Sequence, residues 1–277
     1  MAERILLAGC GDLGLRVAAR LLARGDAVWA LRRNPPRDTL PGLRWLGADL
    51  TAPHAPASLP AGLTRVVYLP APDAREKAAY RALFVDGLRH LLEALDARAL
   101  KQVLLVSSSA VYGEHGGDWV DEDTPPAPMS FNGTLLLEAE RWLAAQPVPS
   151  TVLRLAGLYG PGRMQLVERV RAGAQRVPRE VPHWANRIHV DDAASAIAHL
   201  LRLPAPSPLY LGVDDTPLRL DELCDFLAQL LDAPLPRAGA APVGVGSKRL
   251  RNARLRASGW APAWTDARDA YAALLDT

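Results

Sequence analysis

The sequence predicts an α/β fold built on a doubly wound parallel sheet. Three observations carry that expectation. Short apolar runs alternate with amphipathic stretches over most of the chain. The first of these runs, from Ile5 to Ala8, leads straight into glycines at 9, 11 and 14. The chain has 277 residues, 49% of them hydrophobic, enough for one large domain or for one with a smaller appended lobe. Strands alternating with helices in this way form parallel sheets covered on both faces.

The opening stretch reads as a buried strand, a glycine turn and the first turn of a helix. Gly9 lets the chain turn tightly off the strand, Gly11 lets a pyrophosphate approach the backbone, and Gly14 lets the helix lie close to the strand. The loop Gly9-Cys10-Gly11-Asp12-Leu13-Gly14 is therefore expected to cradle a dinucleotide, whose phosphates meet the free N–H groups of the helix end. The helix carries Leu13, Val17, Ala18, Leu21 and Leu22 on its apolar side and ends near Arg24-Gly25.

Ala27 to Leu31 reads as the second strand. The residue that follows such a strand faces the adenosine ribose, and a carboxylate there selects NAD. Here the chain has Arg32-Arg33, whose guanidinium groups suit a 2′-phosphate. The expected cofactor is thus NADP rather than NAD. Alternatively, the two arginines form a solvated strand end. The stretch from Trp45 to Leu50 reads as the third strand and its exit, with Asp49 and Leu50 beside the cofactor or Asp49 capping a turn. Residues 51–62 read as a loop. The fourth strand runs from Arg65, and its exit Leu69-Pro70-Ala71 can pass over a cofactor. A helical pattern from Asp73 to Leu95 buries Leu83, Leu88, Leu91, Leu92 and Leu95. Gln102 to Val106 reads as a central strand, apolar on both faces. Ser107, Ser108 and Ser109 follow it, where ligands bind in such sheets. Ser107 is expected at the cofactor and Ser108 and Ser109 at a substrate oxygen; a polar turn is the alternative.

Composition narrows the function classes. The formal net charge of +2 does not suggest a dedicated nucleic-acid binder, and no run is apolar for long enough to span a membrane. Cys10 and Cys224 lie far apart without metal-ligand spacing, and no other cluster has such spacing. A reducing cytoplasm, with no signal peptide ahead of the first strand, is the expected setting. The expected ligand is a small molecule.

Taken together, the glycine loop, the segment from Ser107 to Gly113, the segment from Leu153 to Arg163 and the segment from Asn186 to Ala193 resemble the extended short-chain dehydrogenase/reductases, the NAD-dependent epimerase/dehydratase family. The resemblance implies a seven-stranded Rossmann domain from residues 1–155 and 187–213, and a small substrate lobe from residues 156–186 and 214–277. It implies that Tyr159 lines the cofactor pocket and that Arg163 faces the substrate; His183 and Trp184, in the loop before Asn186, are expected to line a substrate cleft, with His183 able to serve as a general acid. For Tyr159 the alternative is core packing, and for His183 loop packing. It also implies a homodimer through the helices around Leu83–Leu95 and Leu135–Leu143.

The family's chemistry uses a tyrosine and, four residues later, a lysine on one helix: the tyrosine moves the proton and the lysine lowers its pKa and holds the ribose. The matching stretch here places Asn132 and Leu136 at those positions, or Phe131 and Leu135 if the register slides by one. Leucine carries no charge, and asparagine is no proton donor near neutral pH. Leu136, Ala139 and Leu143 remain core candidates, so the helix is retained while the acid/base pair is absent. Phe84 stands where the family often has asparagine. The pattern resembles the family's atypical branch, similar to bacterial proteins described as nucleoside-diphosphate-sugar epimerases. Two functions fit: an NAD(P)-dependent oxidoreductase or epimerase acting on a nucleotide sugar or related carbonyl compound, and a non-catalytic NADP-binding protein with a redox-sensing or regulatory role.

Other segments read as architecture. Tyr112 is expected under its loop, Asp191 or Asp192 at a helix cap, and Asp118 to Asp123 in a solvated loop. The basic run Lys248, Arg249, Arg251, Arg254 and Arg256 either meets substrate phosphates or forms a charged helix face.

Overall fold

The computed structural model describes residues 2–36, 40–53 and 59–276. Residues 54–58 of the expected loop at 51–62 lie outside the described residues. The chain divides into two compact units. The first comprises Met1–Ser108, Phe131–Arg154 and Ala194–Tyr210, and the second Ser109–Ser130, Leu155–Ala193 and Leu211–Thr277. Residues 109–130, 155, 187–193 and 211–213, expected in the binding domain, are thus grouped with the second unit.

The first unit is organised by the predicted sheet. Its strands β1 (Arg4–Ala8), β2 (Ala27–Arg32), β3 (Arg44–Gly47), β4 (Arg65–Tyr68) and β5 (Gln102–Ser108) are joined by Ser150–Leu155 and Leu209–Gly212. The spatial order is β3-β2-β1-β4-β5, then the strand Ser150–Leu155, then Leu209–Gly212. The pairings of β1 with β2 and β4, of β2 with β3 and of β4 with β5 are parallel. Strand order therefore reverses between β1 and β4, the place where such sheets open a crevice at their carboxyl ends. The interior strands are apolar on both faces: Ile5 to Ala8, Val28, Ala30, Leu31, Val66, Val67 and Val103 to Leu105 are all buried.

Helix α1 (Asp12–Ala23) follows β1 and buries Leu13, Val17, Ala18 and Leu21 as its spacing requires. Its chain leaves through Gly25 at φ +83°. The helix Phe131–Ala144 buries Leu136, Ala139 and Leu143, as expected.

Three expectations about elements are corrected. The helical segment starts at Lys77, not Asp73, and ends at Glu93. Its middle, Arg81–Asp86, is a π-turn. There the Leu83 carbonyl accepts the buried Tyr68 hydroxyl, which competes with the regular helical ladder. The extra residue rotates the following turns, so Leu92 and Leu95 are only half-buried. Ser107 and Ser108 lie on β5 itself, and the strand exit is the short 3-10 turn Ser109–Val111.

The second unit has its own core, in which Tyr159, Leu166, Val167, Val170 and Val177 pack with the helices Leu220–Leu230 and Ala267–Leu275. Gly157–Tyr159 pairs in parallel with Arg187–His189, and Trp119–Val120 with Arg249–Leu250. Asp192, one of the two expected helix caps, also holds the chain at residues 263 and 264. Its buried carboxylate accepts the N–H groups of Ala263 at 2.8 Å and Trp264 at 3.0 Å. The acidic loop is not wholly solvated either. Glu122 is buried and accepts the Leu211 N–H at 3.0 Å, while Arg254 pairs with Asp123 at 2.7 Å. Arg256 pairs with Asp215 at 3.2 Å. The basic run is also not one helix face: Arg249 lies on a strand, Lys248 is buried, and only Arg254 and Arg256 belong to the helix Ala253–Ala257.

Candidate functional site

Within the first unit, the ends of β1, β2 and β4 meet at the glycine loop. The N–H groups of Gly9 and Cys10 both donate to the Leu31 carbonyl at 2.9 Å, tying the loop to the end of β2. Leu69 N–H donates to the Ala8 carbonyl at 2.9 Å and ties it to the exit of β4. Gly9 sits at φ +85°, and a Cβ there would lie 2.5 Å from Pro70 Cα. Only glycine meets both demands. A Cβ on Gly14 would lie 2.7 Å from Cys10 Sγ, so the helix lies hard against the loop.

Gly11, by contrast, has nothing within 4 Å of where a Cβ would stand. It is the N-cap of α1 and provides no side-chain cap. The helix end thus presents open space and uncapped N–H groups, the arrangement that binds a phosphate. The residues present fit a dinucleotide pyrophosphate.

Arg32 and Arg33 separate in role. Arg33 pairs with Asp73 on the exposed surface. Arg32 ends β2 beside the loop: burial pushes the Cys10 thiol up to about 12, and the Arg32 guanidinium opposes that rise. No hydrogen bond or ion pair engages the Arg32 side chain among the described residues. Asp49 spends Oδ1 on Thr51, accepting its N–H at 2.9 Å and its hydroxyl at 2.8 Å, which is the turn-capping alternative. Leu50 is buried just after it.

Ser107 is bound into the interior. Its hydroxyl donates to Glu140 Oε1, and Arg154 grips the same carboxylate, Nε to Oε1 at 3.1 Å and Nη2 to Oε2 at 2.6 Å. All three are buried. Residue-by-residue reading missed this triad. Its signal was an arginine inside the apolar run Val152-Leu153-Arg154-Leu155, which demands a buried partner. Ser108 is half-buried on the same strand. Asn132 is half-buried on the helix Phe131–Ala144, and Leu136 is 3% exposed.

The second unit holds Ser109, Tyr159, Arg163, His183 and Trp184. Tyr159 is in the core, stacked on Tyr271 with ring centroids 4.6 Å apart and edge-on to His189 at 5.3 Å. That is the core-packing alternative. Tyr112 is buried and donates its hydroxyl to the Asp121 carbonyl at 2.9 Å, as expected. Arg163 closes a tight turn on the Gly160 carbonyl through its N–H at 2.9 Å. His183 is buried beside Lys248, and burial holds both below their ordinary values. Trp184 N–H donates to Ser247 Oγ at 3.3 Å. No group of His, Cys, Asp and Glu among the described residues could hold a metal. No helix among them is long and apolar enough to cross a membrane.

Asp214 is a further buried group that went unnoticed in the sequence. It is 2% exposed, and neither carboxyl oxygen receives a well-formed hydrogen bond. Burial, reinforced by Asp266 and Asp215, pushes it up to about 8, while the poorly aligned Thr216 N–H and Arg187 pull the other way. The native chain thus keeps a proton that the unfolded chain releases near 3.8. Stability from this group is fully present below that value and is lost as pH rises towards 8. Asp214→Asn should flatten the decline and raise Tm at pH 8 by about 3 °C or more, read by thermal melts between pH 5 and 8. An unchanged pH slope would contradict the assignment.

The fold and the glycine site define a class. Residues 5–210 match the NAD dependent epimerase/dehydratase family, and the chain belongs to that family. A solved structure from Methylobacillus flagellatus, described as an NAD-dependent epimerase/dehydratase, is 40% identical; the match covers 100% of this chain and 98% of that one, with TM-score 0.83. Protein YeeZ of Escherichia coli K12 is 29% identical over 220 residues, 75% of this chain and 76% of its own. A 3-diazoavenalumate denitrifying reductase of a Streptomyces species is 29% identical over 299 residues, 96% of this chain and 98% of its own.

Proposed function

We propose that this chain is an NADP-dependent oxidoreductase that works without the family's Tyr/Lys pair, on a nucleotide sugar or related carbonyl compound. The observation that carries the cofactor reading is Arg32, a guanidinium beside the glycine loop with no hydrogen-bond or ion-pair partner among the described residues. The α1 N–H groups hold the pyrophosphate, and Arg32 takes the 2′-phosphate. The nicotinamide, when bound, supplies a hydride. Ser108 offers a hydroxyl to the substrate oxygen. Asn132 can hydrogen-bond but not give up a proton, and Leu136 can do neither. Hydride addition to a carbonyl carbon leaves an alkoxide, and with no acid at the Asn132 and Leu136 positions its proton comes from solvent water. The full-length similarity to a protein named as a reductase supports the redox reading.

Arg32→Ala should weaken NADPH binding about 10- to 100-fold, in line with the loss of charge-assisted bonds of about 1.5–3 kcal/mol, and leave NADH unchanged. Arg33→Ala should cost less, because Arg33 already spends itself on Asp73. Equal losses for both cofactors in a calorimetric titration would sink the 2′-phosphate assignment.

A second reading, non-catalytic NADP binding, is favoured by the buried Leu136 at the lysine position. NADPH oxidation over sugar nucleotides and small carbonyl compounds separates the two. Turnover that is lost in Ser108→Ala supports the enzyme. Tight NADPH binding with no turnover on any member supports the second reading.

A further inference from the structure

The polar cluster around Lys248 belongs to the second unit. Of the chain's 32 lysines and arginines only three are lysines, at 77, 101 and 248. Lys77 and Lys101 are exposed, and Lys248 is 3% exposed. A chain that uses arginine almost everywhere keeps an ammonium, a compact point charge, at this buried position. Its Nζ donates to the Gly246 carbonyl at 3.1 Å. That is its only hydrogen bond among the described residues, and no carboxylate there lies within 4 Å of it. Two of three ammonium donors thus have no acceptor, and a buried charge in that condition costs several kcal/mol.

The groups around it do not remove the deficit. Glu114 faces both Lys248 and His183, but its oxygens are committed: Oε2 accepts the Ser247 N–H at 2.8 Å and Oε1 the Gly116 N–H at 2.7 Å. Burial keeps the His183 imidazole neutral near pH 7, so it offers a donor rather than a charge. Arg249 is already engaged, its Nε donating to the Gly117 carbonyl at 2.7 Å and its guanidinium lying 4.9 Å from the Trp184 ring centroid. The Lys248 ammonium therefore calls for acceptor oxygens that carry a single negative charge. A carboxylate supplies two such oxygens, whereas a phosphate dianion brings a second charge with no cation left to meet it.

We propose that Lys248, assisted by His183, is a subsite for the carboxylate of a small-molecule ligand. This deepens the proposed function by giving the substrate a carboxylate, and it rests on that reading only in calling the ligand a substrate. The test is calorimetric titration of the whole chain, without cofactor, using benzoate, its neutral isostere benzamide, and inorganic phosphate. Because no cofactor is present, failure here is distinct from failure of NADPH binding or turnover. Benzoate should bind saturably, with benzamide and phosphate at least tenfold weaker. Lys248→Met should lose at least tenfold in benzoate affinity, and His183→Gln a smaller factor. Methionine leaves no unpaired charge, so the variant should fold, and the benzamide comparison needs no variant at all. No benzoate binding by the native chain, equal binding of benzamide, tighter binding of phosphate, or full benzoate affinity in Lys248→Met would each overturn the proposal.

Discussion

Replacing Arg154 with methionine should destabilise the protein by about 3–5 kcal/mol, a fall in Tm on the order of 10 °C. The substitution strands the Glu140 carboxylate in the interior with, among the described residues, only the Ser107 hydroxyl to face it. An unpaired buried charge loses its hydration and gains nothing in return. The pair itself is a weak source of net stability, since its Coulomb attraction must first offset the desolvation of both ions. The double variant Glu140→Leu/Arg154→Met should therefore recover most of the loss. Denaturant unfolding of the two single variants and the double closes the cycle. If the double variant is no more stable than the single ones, the buried-charge explanation fails. The triad also fixes the Ser107 rotamer on β5, so the single variants should broaden the local backbone signals of that strand in an NMR spectrum.

Gly9→Ala should abolish dinucleotide binding and cost roughly 1–3 kcal/mol in stability through backbone strain. A methyl group there would stand 2.5 Å from Pro70 Cα, and the backbone is held at φ +85° by two hydrogen bonds to the Leu31 carbonyl. Neither backbone is a flexible side-chain end that can swing away. The loop must shift, and the N–H groups of α1 shift with it. Gly11→Ala is the control, since its Cβ would meet nothing in the protein. That variant should fold with native stability and lose affinity only because the methyl occupies the space meant for the pyrophosphate. A native melting temperature for Gly9→Ala would contradict the steric argument. Undiminished NADPH affinity in Gly11→Ala would contradict the phosphate position.

Local periodicity made most of the first unit readable. Ile5 to Ala8, Val28 to Leu31 and Val103 to Leu105 are apolar on both faces, as covered parallel strands must be, and the glycine spacing marked the first crossover. Endings were less legible. Ser107 and Ser108 extend β5 because a polar side chain continues a strand if a buried partner receives it, and Glu140 lies 33 residues away. The π-turn at Arg81–Asp86 was invisible for the same reason: the Tyr68 hydroxyl that occupies the Leu83 carbonyl comes from another strand. In the second unit the short strands pair across large sequence gaps, such as Trp119 with Arg249, and no local period announces them. No local pattern in the sequence marks Lys248 or Asp214 as buried. Their burial arises from tertiary packing alone.

We propose that the glycine loop and Arg32 bind NADP in a chain that carries Asn132 and Leu136 where the family has its acid/base pair. Titration of the purified chain with NADPH and with NADH, each followed by calorimetry, tests it most directly. NADPH should bind saturably at one site per chain, at least tenfold tighter than NADH. Binding of neither cofactor, or NADH as tight as NADPH, would contradict it.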